Sequence, residues 1–185
     1  MTPDPHDTHG VSFPTTGIGG IDRHNWLNVK YFTGPKWLGQ VGIDSRRHVL
    51  FLSPDWGIRA GVKILWSYRR KHCVDTVRGI LDRWAPSTDT IGSLPGAKSN
   101  DPGAYAAFVC KRAKVGPDEP LGLFHDDGRL TPRALTAGKS GIILLPAILR
   151  AMTIYECGTK ALPFMHPGRI DAGIEIYRKE TAERS

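Results

Sequence analysis

The sequence predicts a mainly α-helical single domain with a small β-hairpin near its N-terminus. Three observations carry that prediction. Apolar residues recur at spacings of three and four over several stretches beyond Asp55. Two of those stretches open on the helix-start signals Ser53-Pro54-Asp55 and Asp101-Pro102, which pair a capping side chain with a first-turn proline. One short apolar run, His48-Val49-Leu50-Phe51-Leu52, has a candidate strand partner close by in Val41-Gly42-Ile43.

Taken in order, residues 1–20 are polar and rich in Pro, Thr and Gly. They read as an N-terminal arm that orders only against something else. The domain proper is expected over 21–180, beginning with the aromatic- and glycine-containing stretch that holds the hairpin. After Asp55, Ile58, Val62, Leu65 and Trp66 mark the buried face of a first long helix. A second runs from about Asp75 to Trp84 and ends before Pro86. Residues 87–100 lack periodicity and read as a surface loop. Tyr105, Phe108 and Val109 form the apolar face of the helix opened by Asp101. Residues 117–139, punctuated by Gly and Pro, are expected to lie over the surface. Apolar side chains all round from Ile142 to Ile154 predict a central buried helix, stopped at Gly158 by a left-handed cap. A final amphipathic helix carries Ile170, Ile174 and Tyr177.

Composition narrows the function classes. The chain has 185 residues, suited to one domain, and a 40% hydrophobic fraction sufficient for one core. Lys plus Arg outnumber Asp plus Glu by 25 to 18, a formal charge of +7 that favours polyanionic partners. Cys73, Cys110 and Cys157 are widely spaced, with no CxxC or HExxH, so neither zinc chemistry nor a disulfide framework is indicated. Free, mostly buried thiols from a reducing cytosol are expected, with no metal and no cofactor. Gly17-Ile18-Gly19-Gly20 is not followed by Lys-Ser/Thr, which rejects a phosphate loop. The N-terminus has no apolar h-region, and the longest apolar run is interrupted by Pro146. Neither a signal peptide nor a membrane span is expected.

Several separated stretches together resemble a family of phage and prophage proteins described as virion or structural proteins. Arg23-His24-Asn25-Trp26-Leu27-Asn28-Val29-Lys30 is similar to the family's Arg-x-Asn-Asn-Pro-Gly-Asn-Ile-Arg, and Trp37-Leu38-Gly39 to its Trp-x-Gly. Phe51-Leu52-Ser53-Pro54-Asp55-Trp56-Gly57-Ile58-Arg59-Ala60 matches a hairpin strand followed by a Gly-Ile-Arg-Ala helix start. Arg83-Trp84-Ala85-Pro86, Asn100 and Tyr105 follow. Last comes Arg150-Ala151-Met152-Thr153-Ile154-Tyr155-Glu156-Cys157-Gly158, resembling Lys-Ala-Ile-Ile-x-His-Glu-Asn-Gly. The chain departs from the pattern at Trp26-Leu27, where the family has Pro-Gly, and at Cys157, where it has Asn. A looser resemblance is to lysozyme-like glucosaminidases and transglycosylases, whose helix-ending Glu precedes an Asn segment and a hairpin. Here the Asn segment and hairpin come first and the Glu last, the order a circular permutation gives. The resemblance implies a lysozyme-like domain and a link to bacterial cell-wall glycan.

Glu156 is the candidate catalytic residue. A carboxyl at a helix C-terminus among apolar neighbours sits where both the helix dipole and desolvation disfavour its charge, as a glycosidase acid requires. The plain alternative is an exposed Glu in a fraying turn. For a second carboxylate the candidates are Asp22, Asp44 and Asp55; a transglycosylase of the kind the resemblance implies needs none. Asn25 and Asn28 are candidates for hydrogen-bonding sugar hydroxyls or N-acetyl groups, or else for closing a turn. Trp26, Trp37 and Trp56 are candidates for lining a glycan groove, whereas Trp66 and Trp84, at helical spacing, belong to the core.

The expected function is a phage virion-associated protein directed at peptidoglycan, a muramidase or lytic transglycosylase acting during infection. Its expected partners are glycan strands and other virion proteins, and it would be made in the host cytosol and carried in the particle. The rival is a non-catalytic structural component of capsid or tail. A third reading, a basic internal protein bound to nucleic acid, rests on net charge, because Arg69-Arg70-Lys71-His72 and Lys111-Arg112 are accounted for as helix C-terminal cations.

Overall fold

A computed structural model describes residues 12–31, 33–88 and 99–183. The first eleven residues of the predicted arm and most of the predicted loop at 87–100 lie outside that set. The architecture is mainly α with one two-stranded antiparallel sheet, as the sequence predicts. The elements in order are α1 (Gly19–Asp22), β1 (Gln40–Ile43), β2 (Val49–Phe51), α2 (Pro54–His72), α3 (Val77–Trp84), α4 (Pro102–Ala113), α5 (Pro132–Leu135), α6 (Leu144–Cys157) and α7 (Gly168–Ala182), with a 3-10 helix at Thr159–Phe164 between the last two. The chain divides into two compact units: Met1–Ile64 with Met152–Ser185, and Leu65–Ala151.

The first unit is built on the hairpin and the start of α2. Gln40 pairs with Phe51 and Ile43 with Val49, with a register irregularity between Gln40 and Gly42. Val49 and Phe51 turn fully inward, and Leu27, Ile58 and Val62 are fully buried as well. The Gly-Ile-Arg-Ala stretch has two uses here. A side chain on Gly57 would come within 2.8 Å of the His24 carbonyl oxygen, so the missing Cβ lets the loop before the hairpin lie directly on α2. Arg59, only 4% exposed, reaches Glu180 of α7 through Nε to Oε1 at 2.9 Å and a second bond from Nη2 to Oε2. α7 turns Ile170, Ile174 and Tyr177 inward, the positions its periodicity marks.

Where the sequence predicts an arm up to Gly20, the described part is attached to the chain itself. Thr16 N and Oγ1 both donate to Asp22 Oδ1 at 2.7 Å, Gly17 N donates to Oδ2 at 3.0 Å, and the Phe13 ring lies against His24. Gly19 and Gly20 already belong to α1.

In the second unit α3 packs on α4. The Thr76 hydroxyl caps α3 at Gly79 N, and the Asp101 carboxylate caps α4 at Ala104 N, so the cap-plus-proline signal at 101–102 is used as read. The expectation for 117–139 is corrected: Leu121, Leu123, Phe124, Leu130 and Ala134 are buried. Backbone in this stretch can be inside because its polar groups are met: Leu121 N donates to Asp75 O at 2.8 Å, and Gly122 N to the Asp75 carboxylate.

α6 begins at Leu144 because Ile143 is held in an extended pairing with Ala137. Pro146 then falls in the first turn, where its missing N–H costs nothing. Leu145 and Ile148 in the second unit and Met152 in the first are at most 1% exposed. Gly158 does have positive φ, but at φ 76 and ψ 164 it is not a left-handed cap; it swings the chain into the 3-10 helix.

Candidate functional site

The loop after α1 is the first component of the site. Asn28 N donates to Asn25 O at 2.9 Å, closing a turn over Trp26 and Leu27 where the resembled pattern has Pro-Gly. Asn28 sits at φ 50, a left-handed conformation that Asn tolerates better than most residues. Asn25 is fully buried and makes three side-chain hydrogen bonds. Its Nδ2 donates to the Val29 and Val49 carbonyls at 2.9 and 2.8 Å, and its Oδ1 accepts from Val29 N at 2.8 Å. It ties loop to strand, the structural use weighed against sugar binding for this residue.

Asn28 and Glu156 meet. Asn28 Nδ2 donates to Glu156 Oε2 at 3.0 Å, with a longer 3.3 Å contact to the Glu156 carbonyl. The other end of the amide is also held: Arg23 Nη2 donates to Asn28 Oδ1 at 3.0 Å. Arg23 Nη1 lies 3.1 Å from Asp44 Oδ2, which also contacts His48 Nδ1 at 3.1 Å. A continuous polar chain therefore runs Glu156–Asn28–Arg23–Asp44–His48 within the first unit.

Electrostatics fix the charge states around Arg23. Burial alone would raise the Asp44 carboxyl. The N–H and ring of His48 and the N–H of Arg46 outweigh that and hold it below the ordinary carboxylate range. Burial, reinforced by the Arg23 charge, pushes His48 below the usual imidazole value against the pull of Asp44. The Cys157 thiol is pushed up to about 12, by burial first and by the neighbouring Glu156 charge second. Its Sγ donates to the Trp26 carbonyl at 3.3 Å. At the position where the resembled pattern has Asn, this chain has an inert, packed thiol.

The other candidates fall elsewhere. Trp26 is 3% exposed and lies in the core. Trp37 and Trp56 are half-buried, and Trp56 packs over Gly39. Asp22 is clamped by Thr16 and Gly17, and Asp55 by Arg169 Nη1 at 3.0 Å. Of the three carboxylates considered as a partner for Glu156, only Asp44 is joined to it through the polar chain above. Among the described residues no group of three or more His, Cys, Asp or Glu could hold a metal ion.

Arg23 and His48 were not singled out by sequence reasoning, and neither was the use of the glycines before them. A side chain on Gly19 would lie 2.7 Å from Arg23 Nη1, and one on Gly20 would collide with Cys157 Sγ. The Gly19-Gly20 pair, rejected as a phosphate loop, is the space in which the guanidinium and the thiol sit. Two adjacent glycines inside a helix are a readable signal of close approach.

No family model matches the chain. It is 30% identical over 115 residues to Protein P5 of Pseudoalteromonas phage PM2, an alignment covering 59% of this chain and 66% of that protein. The chain is a relative of a phage protein. It thus spans slightly less than two thirds of that relative's length. Among the described residues no helix is long and apolar enough to cross a membrane.

Proposed function

We propose that the chain is a phage virion-associated protein with a lysozyme-like first unit, and that Glu156 acts there on the glycan strands of peptidoglycan. The observation that carries this reading is the 3.0 Å bond between Asn28 Nδ2 and Glu156 Oε2. It unites a helix-terminal carboxyl with the Asn segment before a hairpin, the same elements that the glycosidase resemblance brings together. The carboxyl is half-buried, so it can exchange a proton with a bound sugar while its position is fixed. Glu156 gives a proton to the leaving glycosidic oxygen. It then takes one from the sugar's own hydroxyl in a transglycosylase, or from water in a hydrolase. Kinship with a phage protein supports placing this activity in a virion beside other virion proteins.

The decisive measurement is wall cleavage by purified wild-type protein and by Glu156→Gln. The amide keeps the shape and removes the transferable proton, so cleavage should drop by roughly a hundredfold or more. Retained cleavage in Glu156→Gln removes the residue from catalysis.

A non-catalytic virion component is the second reading. It is favoured by the 3-10 helix after Glu156, which leaves Leu162 and Phe164 44% and 50% exposed, as a surface that packs against another protein does. Absence of cleavage by the wild type on any bacterial wall would leave that reading standing. The net charge of +7 is the sole support for nucleic-acid binding, which ranks last.

A further inference from the structure

We infer that Arg23 is a positioning residue for the Glu156 site: it fixes which face of the Asn28 amide meets the carboxylate. This rests on the proposed role of Glu156 for its functional meaning, though not for its geometry. A primary amide has a donor end and an acceptor end, and a half-turn about the last side-chain bond exchanges them. With the donor end toward Glu156, Asn28 holds the carboxylate by a hydrogen bond. With the acceptor end there, two lone-pair-bearing oxygens face each other and that hydrogen bond is lost. Arg23 carries only donors, so its 3.0 Å bond to Asn28 Oδ1 is compatible with the first orientation alone.

Arg23 is itself restrained at both ends. Its carbonyl accepts from Phe51 N at 3.1 Å, which roots it on β2. At its tip, Nη1 meets Asp44, whose Oδ1 accepts the Arg46 and His48 N–H groups at 2.8 Å each and so belongs to the hairpin turn. The guanidinium side chain is 19% exposed and lies against Gly19, where a methyl group would meet Nη1 at 2.7 Å. Gly19 is therefore part of the device: it supplies the space and has no polar side chain of its own.

Two variants of the full chain test this. Arg23→Lys keeps the charge but cannot bridge two acceptors with a planar fork. Gly19→Ala keeps Arg23 and every charge and displaces only the flexible guanidinium tip. The readout is side-chain NMR of the Asn28 NH2 group, with thermal melting to verify folding. In both variants hydrogen-exchange protection of the Asn28 amide protons should fall by about tenfold, the loss of one modest hydrogen bond. On cell wall, kcat should fall, because the carboxylate that moves the proton is mis-set. Protection unchanged within twofold in both folded variants overturns the positioning role, whatever the activity. Lost protection with a wild type that cleaves no wall keeps the positioning role and removes the glycosidase reading.

Discussion

Cys157 occupies the position where the resembled pattern has Asn, directly after the candidate acid. Its surroundings show that it has become part of the packing. Gly20 leaves room for the sulfur, Trp26 O accepts its S–H, and burial beside Glu156 raises the thiol to about 12. Only the thiolate attacks an alkylating reagent, so a thiol moved from 9.0 to about 12 reacts about a thousandfold more slowly than in the unfolded chain. Cys73, which is exposed and does not follow the expectation of mostly buried thiols, should take up iodoacetamide first at pH 8. Peptide mapping after a short pulse should show Cys157 unmodified until denaturant is added; early labelling there would contradict the packing described. The Asn28–Glu156 meeting was legible in the sequence because both residues stand in motifs with known neighbours. The burial of Asn25 and Trp26 was not legible, because a motif states residue type and order, whereas burial depends on the third dimension. Val29 and Val49 use every polar atom Asn25 has.

At the scale of elements, caps and periodicity were the readable signals. α2 and α4 begin at the prolines that mark them, and the strand at 48–52 pairs with the stretch at 41–43. The stretch 117–139 was not legible, because turn residues dominate its composition while its few apolar residues follow no helical period. What buries it is a backbone acceptor and a carboxylate on Asp75, far away in sequence. The tie between α2 and α7 was equally hidden, since Arg59 reads as a surface cation on an amphipathic helix. The two sides of that ion pair are unequal. The Arg59 side chain is 5% exposed and that of Glu180 19%, so water can rescue the carboxylate better than the guanidinium. Glu180→Ala strands a buried charge and should cost about 3–5 kcal/mol. Arg59→Met removes the buried charge itself, refills the volume and should cost clearly less. Urea denaturation of both variants measures the order; equal losses, or a milder Glu180→Ala, would show that the pair is not held in the desolvated geometry described.

For the molecule as a whole, acid should act in two stages. Burial holds His24 and His48 below their ordinary 6.5, with Arg169 adding for the first and Arg23 for the second. The folded protein therefore binds fewer protons than the unfolded chain. The resulting stability is complete above about pH 6.5 and is lost as the pH falls through the folded values. Asp22 and Asp44 lie below their ordinary 3.8 because hydrogen bonds from Thr16 and Gly17, and from His48 and Arg46, outweigh burial. Their contribution is present above 3.8 and is lost below it. Urea midpoints measured from pH 8 to 3 should be level down to about 6.5, decline below it, and decline again under about 3.8. A level profile between pH 6.5 and 4.5 would remove the histidine contribution.

The unit that holds Glu156 is discontinuous, and this governs when the site can exist. The hydrogen bond between Asn28 and Glu156 joins residues 128 positions apart, and all of Leu65–Ala151 is synthesised between them. At ribosomal speeds of roughly 5–20 residues per second, the loop before the hairpin waits roughly 6–25 s for its carboxylate. Closing so long a span costs chain entropy before any contact repays it. A nascent or prematurely terminated chain lacking residues beyond 151 carries the Arg23–Asp44 pair and Asn28 without the carboxylate that Asn28 holds. A Glu156 site is thereby confined to polypeptide in which the segment after residue 151 has already been made.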